Sequence, residues 1–303
     1  MSKKDAFRIL GEAKKMGVFQ VIIEGGEPML YKDVFAILEY SLSLGFETNL
    51  VTNGTLISPE RAKKFWQMAD KFGNWPGIQV SLDSIRNEVN DINRGKGQLV
   101  RWGIENLLGA GVPISLGIVV THDNVPYLKE IVDMYYPRIR RFHFIGLMPT
   151  WKSVQNKLKI RLSPEDYAVL GVQDEQMKAF SRLHPDLEIT VLKDKDDFPT
   201  VKDEQAKIIC NAGYHQIIVN CDLTVATCDI APNMIVGDLK RETLSEVWNG
   251  GRLRQLRRLG LPPCVLDLNR DRPENAVKIP SNLIRLDSIK IVDSAPVRSR
   301  STS

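Results

Sequence analysis

The sequence predicts an α/β protein built on a partial barrel of parallel strands, with a small C-terminal α+β extension. Short strands rich in Val, Ile and Leu alternate with amphipathic helices up to about residue 150, which is the pattern of right-handed βαβ units. Five strands are visible between residues 19 and 149. A five-stranded open sheet and an incomplete barrel both fit this number, whereas a closed eight-stranded barrel does not.

The elements of this first region follow one another at short intervals. The predicted strands are 19–23, 46–54, 77–83, 113–121 and 141–147, and the predicted helices are 5–16, 32–44, one opening at Ser58, about 98–110 and about 124–135. Glycine just past a helix end and proline at a first helical position support these limits. Ligands of such sheets bind at the carboxyl ends of the strands.

The second half of the chain has a different sequence pattern. We expect a helical connector over residues 151–207, with its helix at 163–182, and a cysteine-bearing extension over 208–265. The extension has a predicted strand pair around Cys221 and a helix over Thr243–Trp248. Periodicity is lost after residue 265, so 266–303 is predicted to be a disordered tail.

Composition and charge exclude several classes of protein. The 303 residues are 43% hydrophobic and 26% charged, which is typical of a globular protein. A net charge of +4 is too small to indicate nucleic-acid binding. No apolar run approaches the roughly 18 residues of a membrane helix, and the polar start does not resemble a signal peptide. We therefore expect a cytoplasmic protein with no nucleic-acid or membrane partner.

The loop after the first predicted strand reads Gly25-Gly26-Glu27-Pro28. Two glycines leave backbone groups open to close approach by a ligand, and Glu27 supplies a carboxylate for an ammonium group. Pro28 breaks the strand so that the chain can turn. A βα turn that needs glycine only for its backbone angles is the alternative.

Further polar residues follow the next strands. Ser81 and Asp83 share one face of their strand because side chains alternate, and such a pair suits a ribose diol; a helix-capping Asp83 is the alternative. Arg94 in the following loop can clamp a carboxylate or be solvated. Asn53 lies in a Thr-Asn-Gly sequence that is chiefly a turn signal.

The order of these motifs resembles the radical S-adenosylmethionine (SAM) superfamily. GGEP, TNGT and SLDS follow successive strands, then come D-x-x-R-G and a strand ending in VVT with Asn124 three residues on. More narrowly, the chain resembles the branch with a C-terminal SPASM or twitch extension, over roughly residues 5–150 and 208–264. The resemblance implies a partial (β/α)6 barrel that holds SAM against a [4Fe–4S] cluster and generates a 5′-deoxyadenosyl radical.

The resemblance also implies the cofactor-binding residues. By the matching motifs, Gly25, Gly26 and Glu27 would contact the methionyl amino group of SAM, and Ser81 and Asp83 would lie near its ribose. Leu147 and Met148, at the end of the last strand, would lie near the adenine. The full predicted cofactor-binding set is Gly25, Gly26, Glu27, Pro28, Asn53, Ser81, Asp83, Arg94, Leu147 and Met148.

The chain departs from the family at the CxxxCxxC loop that binds the core cluster. None of the first 209 residues is cysteine, and thiolates are the ligands that such a cluster needs. We therefore expect an N-terminally truncated or frameshifted chain that lacks the first barrel strand and does not generate the radical. A genuine cluster-free descendant is the alternative.

The resemblance assigns an auxiliary [4Fe–4S] site to Cys210, Cys228 and Cys264. Leu223 stands where this branch usually has glycine, and the dense cysteine run expected after Cys264 is absent. Zinc bound by the same thiolates and inert buried cysteines are the alternatives. Cys221 is predicted to be a buried strand residue.

The functional expectation is an oxidoreductase or maturase that acts on a peptide or a cofactor precursor. Its partners would be that substrate and a reductant such as ferredoxin or flavodoxin. A non-catalytic SAM- or peptide-binding barrel without the core cluster is the alternative. An unrelated βα-barrel hydrolase or isomerase would need a base with a partner, for which only Glu27, Asp83 and His122 qualify.

His143 alternates with apolar residues inside a strand, so it is predicted to be a structural histidine.

Overall fold

A computed structural model of the chain describes residues 1–73, 77–146, 162–191, 212–228 and 234–259. Apart from the first two residues, the described part divides into two compact units. The first unit contains the described residues between 3 and 191, and the second contains those from 212 onward.

The first unit is built on a parallel sheet of six strands, which lie in the sheet in the order in which they occur in the chain. They are β1 (Gln20–Ile23), β2 (Glu47–Thr52), β3 (Ile78–Ser81), β4 (Ile114–Val120), β5 (Arg141–Gly146) and β6 (Glu188–Val191). This arrangement confirms the predicted α/β class and the parallel sheet of a partial barrel.

Helices connect the strands. They are α1 (Lys3–Lys15), α2 (Val34–Ser43), α3 (Pro59–Phe72), α4 (Asn87–Asn93), α5 (Gly97–Gly109), α6 (Leu128–Tyr135) and α7 (Pro164–Leu183). Ser58 caps α3 by accepting a hydrogen bond from the Arg61 backbone N–H, and Gly73 ends it at φ 67°. The Ser58 cap is a sequence signal from which the start of this helix was predicted, whereas its end at Gly73 was not predicted.

The two faces of the sheet differ in burial. Leu50, Val80, Leu116 and Phe142 are completely buried in the apolar core. The alternating residues of the same strands point to the other face, where Gln79, Ser115 and His143 are only partly buried. The sheet therefore has one closed apolar face and one more open, polar face.

The structure adds elements that were not predicted. Strand β6 pairs with β5 from Arg141↔Glu188 to Phe144↔Val191, and α7 packs on α6. The described part of the predicted 151–207 connector therefore packs with the sheet, while the limits of the three predicted domains stay a prediction. Strand β3 ends at Ser81, so Asp83 lies in the loop beyond it and not within the predicted strand.

The second unit is a small α+β unit, as predicted for the extension. Three short antiparallel strands, β7 (Ile218–Val219), β8 (Thr224–Ala226) and β9 (Ile235–Asp238), pair in chain order. Two helices follow, α8 (Leu244–Trp248) and α9 (Gly251–Leu259). Thr243 forms a capping box with Glu246 at the start of α8.

The turn between β7 and β8 corrects one prediction. Cys221 is exposed in this turn, and the prediction of a buried strand residue was wrong, because the strand ends two residues earlier. Leu223 in the same turn has φ 74°, a left-handed conformation that favours glycine.

No helix in the described part of the chain is long and apolar enough to cross a membrane. The predicted tail at 266–303 lies outside the described residues.

Candidate functional site

The Gly25-Gly26-Glu27-Pro28 loop follows β1 at the carboxyl edge of the sheet. Gly25 has φ 141°, which L-residues rarely adopt. Gly26 does not have such a φ, and a Cβ added at either glycine would meet no atom within 4 Å. The open space beside Gly26 is therefore available to a ligand.

The Glu27 carboxylate joins this loop to the loop after β2. Its Oε1 accepts hydrogen bonds from the Thr52 hydroxyl at 2.7 Å and from the Met29 backbone N–H at 2.9 Å. Its Oε2 accepts one from the Asn53 backbone N–H at 2.7 Å. Because a carboxylate has about four lone-pair sites, Oε2 keeps acceptor capacity for an ammonium group.

Asn53 acts mainly as a turn residue. Its side-chain Oδ1 accepts from the backbone N–H of Thr55 at 2.9 Å and from the Thr55 hydroxyl at 2.8 Å. This geometry agrees with the turn signal in the sequence, and a contact between the Asn53 side chain and a cofactor stays a prediction.

Asp83 and Arg94 lie together. The Arg94 Nε donates to Asp83 Oδ2 at 2.7 Å, and Asp83 Oδ1 accepts from the Val119 backbone N–H at 2.9 Å. Burial raises the pKa of Asp83, and the adjacent Arg94 guanidinium works against that rise. Both carboxylate oxygens thus have protein partners, and the roles of Asp83, Arg94 and the half-buried Ser81 toward SAM stay predictions.

Asn124 also helps to form the site, although no role was predicted for it from the sequence. It is buried, and its side-chain Nδ2 donates to the backbone oxygens of Asp83 at 2.9 Å and Val119 at 2.8 Å. Its Oδ1 accepts from the Thr121 backbone N–H at 2.8 Å. Asn124 therefore links the loops after β3 and β4; its only sequence signal was its position three residues after a strand end.

His122 lies just beyond β4 and pairs with Asp166 of α7. The distance between His122 Nδ1 and Asp166 Oδ2 is 2.8 Å, and the His122 side chain is 57% exposed. The hydrogen bond to Asp166 raises the pKa of His122. Although burial works to raise the pKa of Asp166, hydrogen bonds from Ser163 and His122 lower it.

His143 lies on the more open face of the sheet, at the position of β5 that pairs with Gly117 of β4. Burial lowers the pKa of His143, so the neutral imidazole is favoured. The structural role that the sequence predicted for this residue stays a prediction.

Of the predicted metal ligands, only Cys228 is among the described residues. It is buried two residues after β8. Cys210 and Cys264, like the predicted adenine-contacting Leu147 and Met148, lie outside the described residues. Within the described part of the chain, no group of three His, Cys, Asp or Glu side chains is arranged to hold a metal ion.

Comparison with protein families gives two matches in chain order. The profile of the radical SAM superfamily matches residues 1–135, and the profile of SPASM, an iron-sulfur cluster-binding domain, matches residues 210–273. The chain therefore contains a radical SAM domain and a SPASM domain, and these two domains indicate SAM and [4Fe–4S] clusters as cofactors.

Curated relatives are radical SAM enzymes. The mycofactocin maturase MftC of Mycolicibacterium smegmatis is 36% identical over 137 residues, which are 44% of this chain and 34% of the relative. The AdoMet-dependent heme synthase of Oleidesulfovibrio alaskensis is 29% identical over 175 residues, 55% of this chain and 42% of the relative. The chain thus spans about a third to two fifths of these proteins. These relatives do not favour the alternative of a non-catalytic binding module.

Solved structures confirm the fold. Streptococcus suis SuiB bound to S-adenosylmethionine has a TM-score of 0.67 at 21% identity, covering 84% of this chain and 60% of SuiB. SuiB bound to the precursor peptide SuiA has a TM-score of 0.65 at the same identity, with 82% and 58% covered. At this identity the likeness shows the fold alone.

Proposed function

We propose that this chain is the SAM-binding and auxiliary-cluster portion of a radical SAM maturase that modifies a peptide or a cofactor precursor. In this family SAM supplies a carbon-centred radical for hydrogen abstraction. The observation that carries the proposal is the open Gly25-Gly26 loop, which Glu27 holds at the carboxyl edge of the sheet.

The residues of this loop fit the methionyl end of SAM. The backbone φ at position 26 does not require glycine, and no neighbouring atom would exclude a side chain there. Close approach of the protein backbone to a ligand gives a reason for a glycine at such a position. Glu27 would then take the ammonium group on Oε2 while its other contacts keep the loop in place.

The chain fits the two kinds of iron-sulfur site unequally. Residues 1–135, which match the radical SAM profile, contain no cysteine, so these residues supply no thiolate for the core cluster. The SPASM-matched residues 210–273 contain all four cysteines, with the buried Cys228 next to the completely buried Thr227. An auxiliary cluster held by Cys210, Cys228 and Cys264 is therefore part of the proposal.

The substrate is proposed to be a peptide. Two names among the relatives support this choice: MftC is a maturase, and SuiB has been crystallised with a precursor peptide. The more open face of the sheet adds support, since the polar side chains of Gln79, Ser115 and His143 are partly buried there. Such groups suit an amide-rich ligand. A ferredoxin or flavodoxin is the proposed reductant.

Titration calorimetry with SAM tests the proposed cofactor site. We expect stoichiometric binding to the wild-type chain and a loss of at least about tenfold in affinity for Gly26→Ala, because the new methyl group occupies the space proposed for SAM. Gly171→Ala is the matched control, since a Cβ there also meets nothing within 4 Å but lies in α7. Both variants should melt at the wild-type temperature or slightly above it. Unchanged SAM affinity in Gly26→Ala, or no binding by the wild-type chain, would contradict the proposal.

A further inference from the structure

Two buried polar side-chain atoms in the second unit lack a hydrogen-bond partner among the described residues. They are the Thr227 hydroxyl oxygen Oγ1 and the Arg257 guanidinium nitrogen Nη2. Thr227 has 0% of its surface exposed. Buried polar groups in native proteins are almost always paired, and an unpaired one often marks the place of a missing ion or ligand.

Both atoms belong to residues that flank one turn. The Arg257 Nε donates to the Gly213 backbone oxygen at 2.7 Å. A Cβ added at Gly213 would lie 3.4 Å from Thr227 Cγ2. The Tyr214 hydroxyl also donates to the Arg257 backbone oxygen at 2.5 Å. The end of β8 and helix α9 are thus both in contact with the turn that contains Gly213.

The known partners of the Arg257 guanidinium are all electrically neutral. Its Nη1 donates to the Trp248 backbone oxygen at 3.0 Å, and the guanidinium lies over the Trp248 ring, 4.3 Å from its centroid. None of the ion pairs between described residues includes Arg257. A partly buried cation with neutral partners favours an anion on its remaining donor, Nη2.

Cysteines border the same turn in the sequence. Cys228 directly follows Thr227, and Cys210 precedes Gly213 by three residues. An iron-sulfur cluster with thiolate ligands is anionic, its sulfur atoms accept hydrogen bonds, and such bonds tune its reduction potential. We propose that Arg257 and Thr227 are positioning residues of the auxiliary iron-sulfur centre, to whose sulfur atoms they donate the Nη2–H and Oγ1–H hydrogen bonds.

This inference rests on the auxiliary cluster of the proposed function, and it is tested by the potential of that cluster. The chain is reconstituted anaerobically with iron and sulfide, and the cluster is titrated electrochemically and monitored by electron paramagnetic resonance. Thr227→Val removes only the hydroxyl, and Arg257→Lys keeps the charge without Nη2. Thr227→Ser restores the hydroxyl and serves as the rescue variant.

We expect all four proteins to bind the same amount of iron and sulfide. Thr227→Val and Arg257→Lys should shift the midpoint to more negative potential, since each loses a bond that stabilises the reduced, more anionic cluster. In a fifth protein that combines Thr227→Val with Arg257→Lys, the shift should correspond to about a tenfold change in the ratio of oxidised to reduced cluster, about 59 mV for a one-electron couple. Thr227→Ser should return to the wild-type potential and spectrum.

Other outcomes overturn the inference. Unchanged midpoints and spectra in Thr227→Val and Arg257→Lys would show that neither residue contacts the cluster. Zinc in place of iron, or no metal in the wild-type chain, would remove the centre itself. Arg257→Lys can also weaken the Gly213 turn. If that variant does not fold, the midpoint potential of Thr227→Val alone tests the inference. SAM binding by the same samples is measured separately, so a failure here is distinguishable from a failure of the proposed SAM site.

Discussion

The left-handed conformation of Leu223 predicts an unusual order of stability among variants at this position. The residue has φ 74° and is 9% exposed. The turn is held by hydrogen bonds from the Leu223 N–H to the Asn220 oxygen and from the Asn220 N–H to the Thr224 oxygen, both at 2.9 Å. Since these bonds fix the backbone, a residue with a Cβ has to accept the left-handed conformation, which costs roughly 1–2 kcal/mol.

Leu223→Gly and Leu223→Ala separate this backbone cost from the packing of the side chain. Both variants lose the buried isopropyl end of the leucine side chain, which costs about 2–5 kcal/mol for a large-to-alanine change. Only glycine relieves the backbone, so the glycine variant should be more stable than the alanine variant by about 1 kcal/mol. At ordinary positions the order is reversed, since glycine is about 0.5–1 kcal/mol worse than alanine.

Hydrogen exchange measured by mass spectrometry on peptides covering residues 212–228 checks this order within the second unit. Ala226→Gly in strand β8 is the control, and there glycine should speed exchange relative to the native alanine. An alanine variant at Leu223 that is as protected as the glycine variant, or more so, would refute the reasoning. It would mean that the turn relaxes out of the left-handed region at little cost.

Two further predictions concern the first unit. Gly103→Ala should destabilise the fold by more than about 3 kcal/mol, because its Cβ would lie 2.1 Å from the Gly54 backbone oxygen in the loop after β2. The control is Gly109→Ala at the end of the same helix, where a Cβ meets open space and should not change stability. Chemical denaturation measures the free energy of unfolding of both variants. Asp166→Asn should lower the pKa of His122 toward the ordinary value near 6.5 and leave the depressed pKa of His143 unchanged, as measured by NMR titration. With the pair intact, its stabilisation is lost as the pH rises through the raised pKa of His122 and as it falls through the lowered pKa of Asp166. An unaltered His122 titration in Asp166→Asn would contradict the pairing.

The alternation of strands and helices could be predicted from the sequence because it is a local property. Strand β1 and helix α3 carry their own signals, an apolar run and a cap followed by proline. Strand β6 does not: its four residues directly precede a charged segment, and they become a strand only by pairing with β5. Its partner is more than forty residues away, so no local pattern could reveal it.

The site residues could be located from the sequence, but their partners could not. The Gly-Gly-Glu-Pro sequence marks its loop, yet the bond between Glu27 and Thr52 joins residues 25 apart. Likewise, Arg94 was visible as a charged loop residue, and only the fold brings it to Asp83. The same holds for His184, whose Nδ1 lies 3.0 Å from the hydroxyl oxygen of Tyr136, 48 residues away.

The link that Glu27 makes between the loops after β1 and β2 bears on affinity as well as on shape. Three hydrogen bonds fix this carboxylate in the chain itself, so an incoming ammonium group meets an acceptor already oriented to receive it. Little rotational freedom then remains to be lost upon association, and that loss is a main cost of binding. Replacing Glu27 would loosen two loops at once, so a weaker complex in such a variant would reflect the disorder of the empty protein as much as the missing charge.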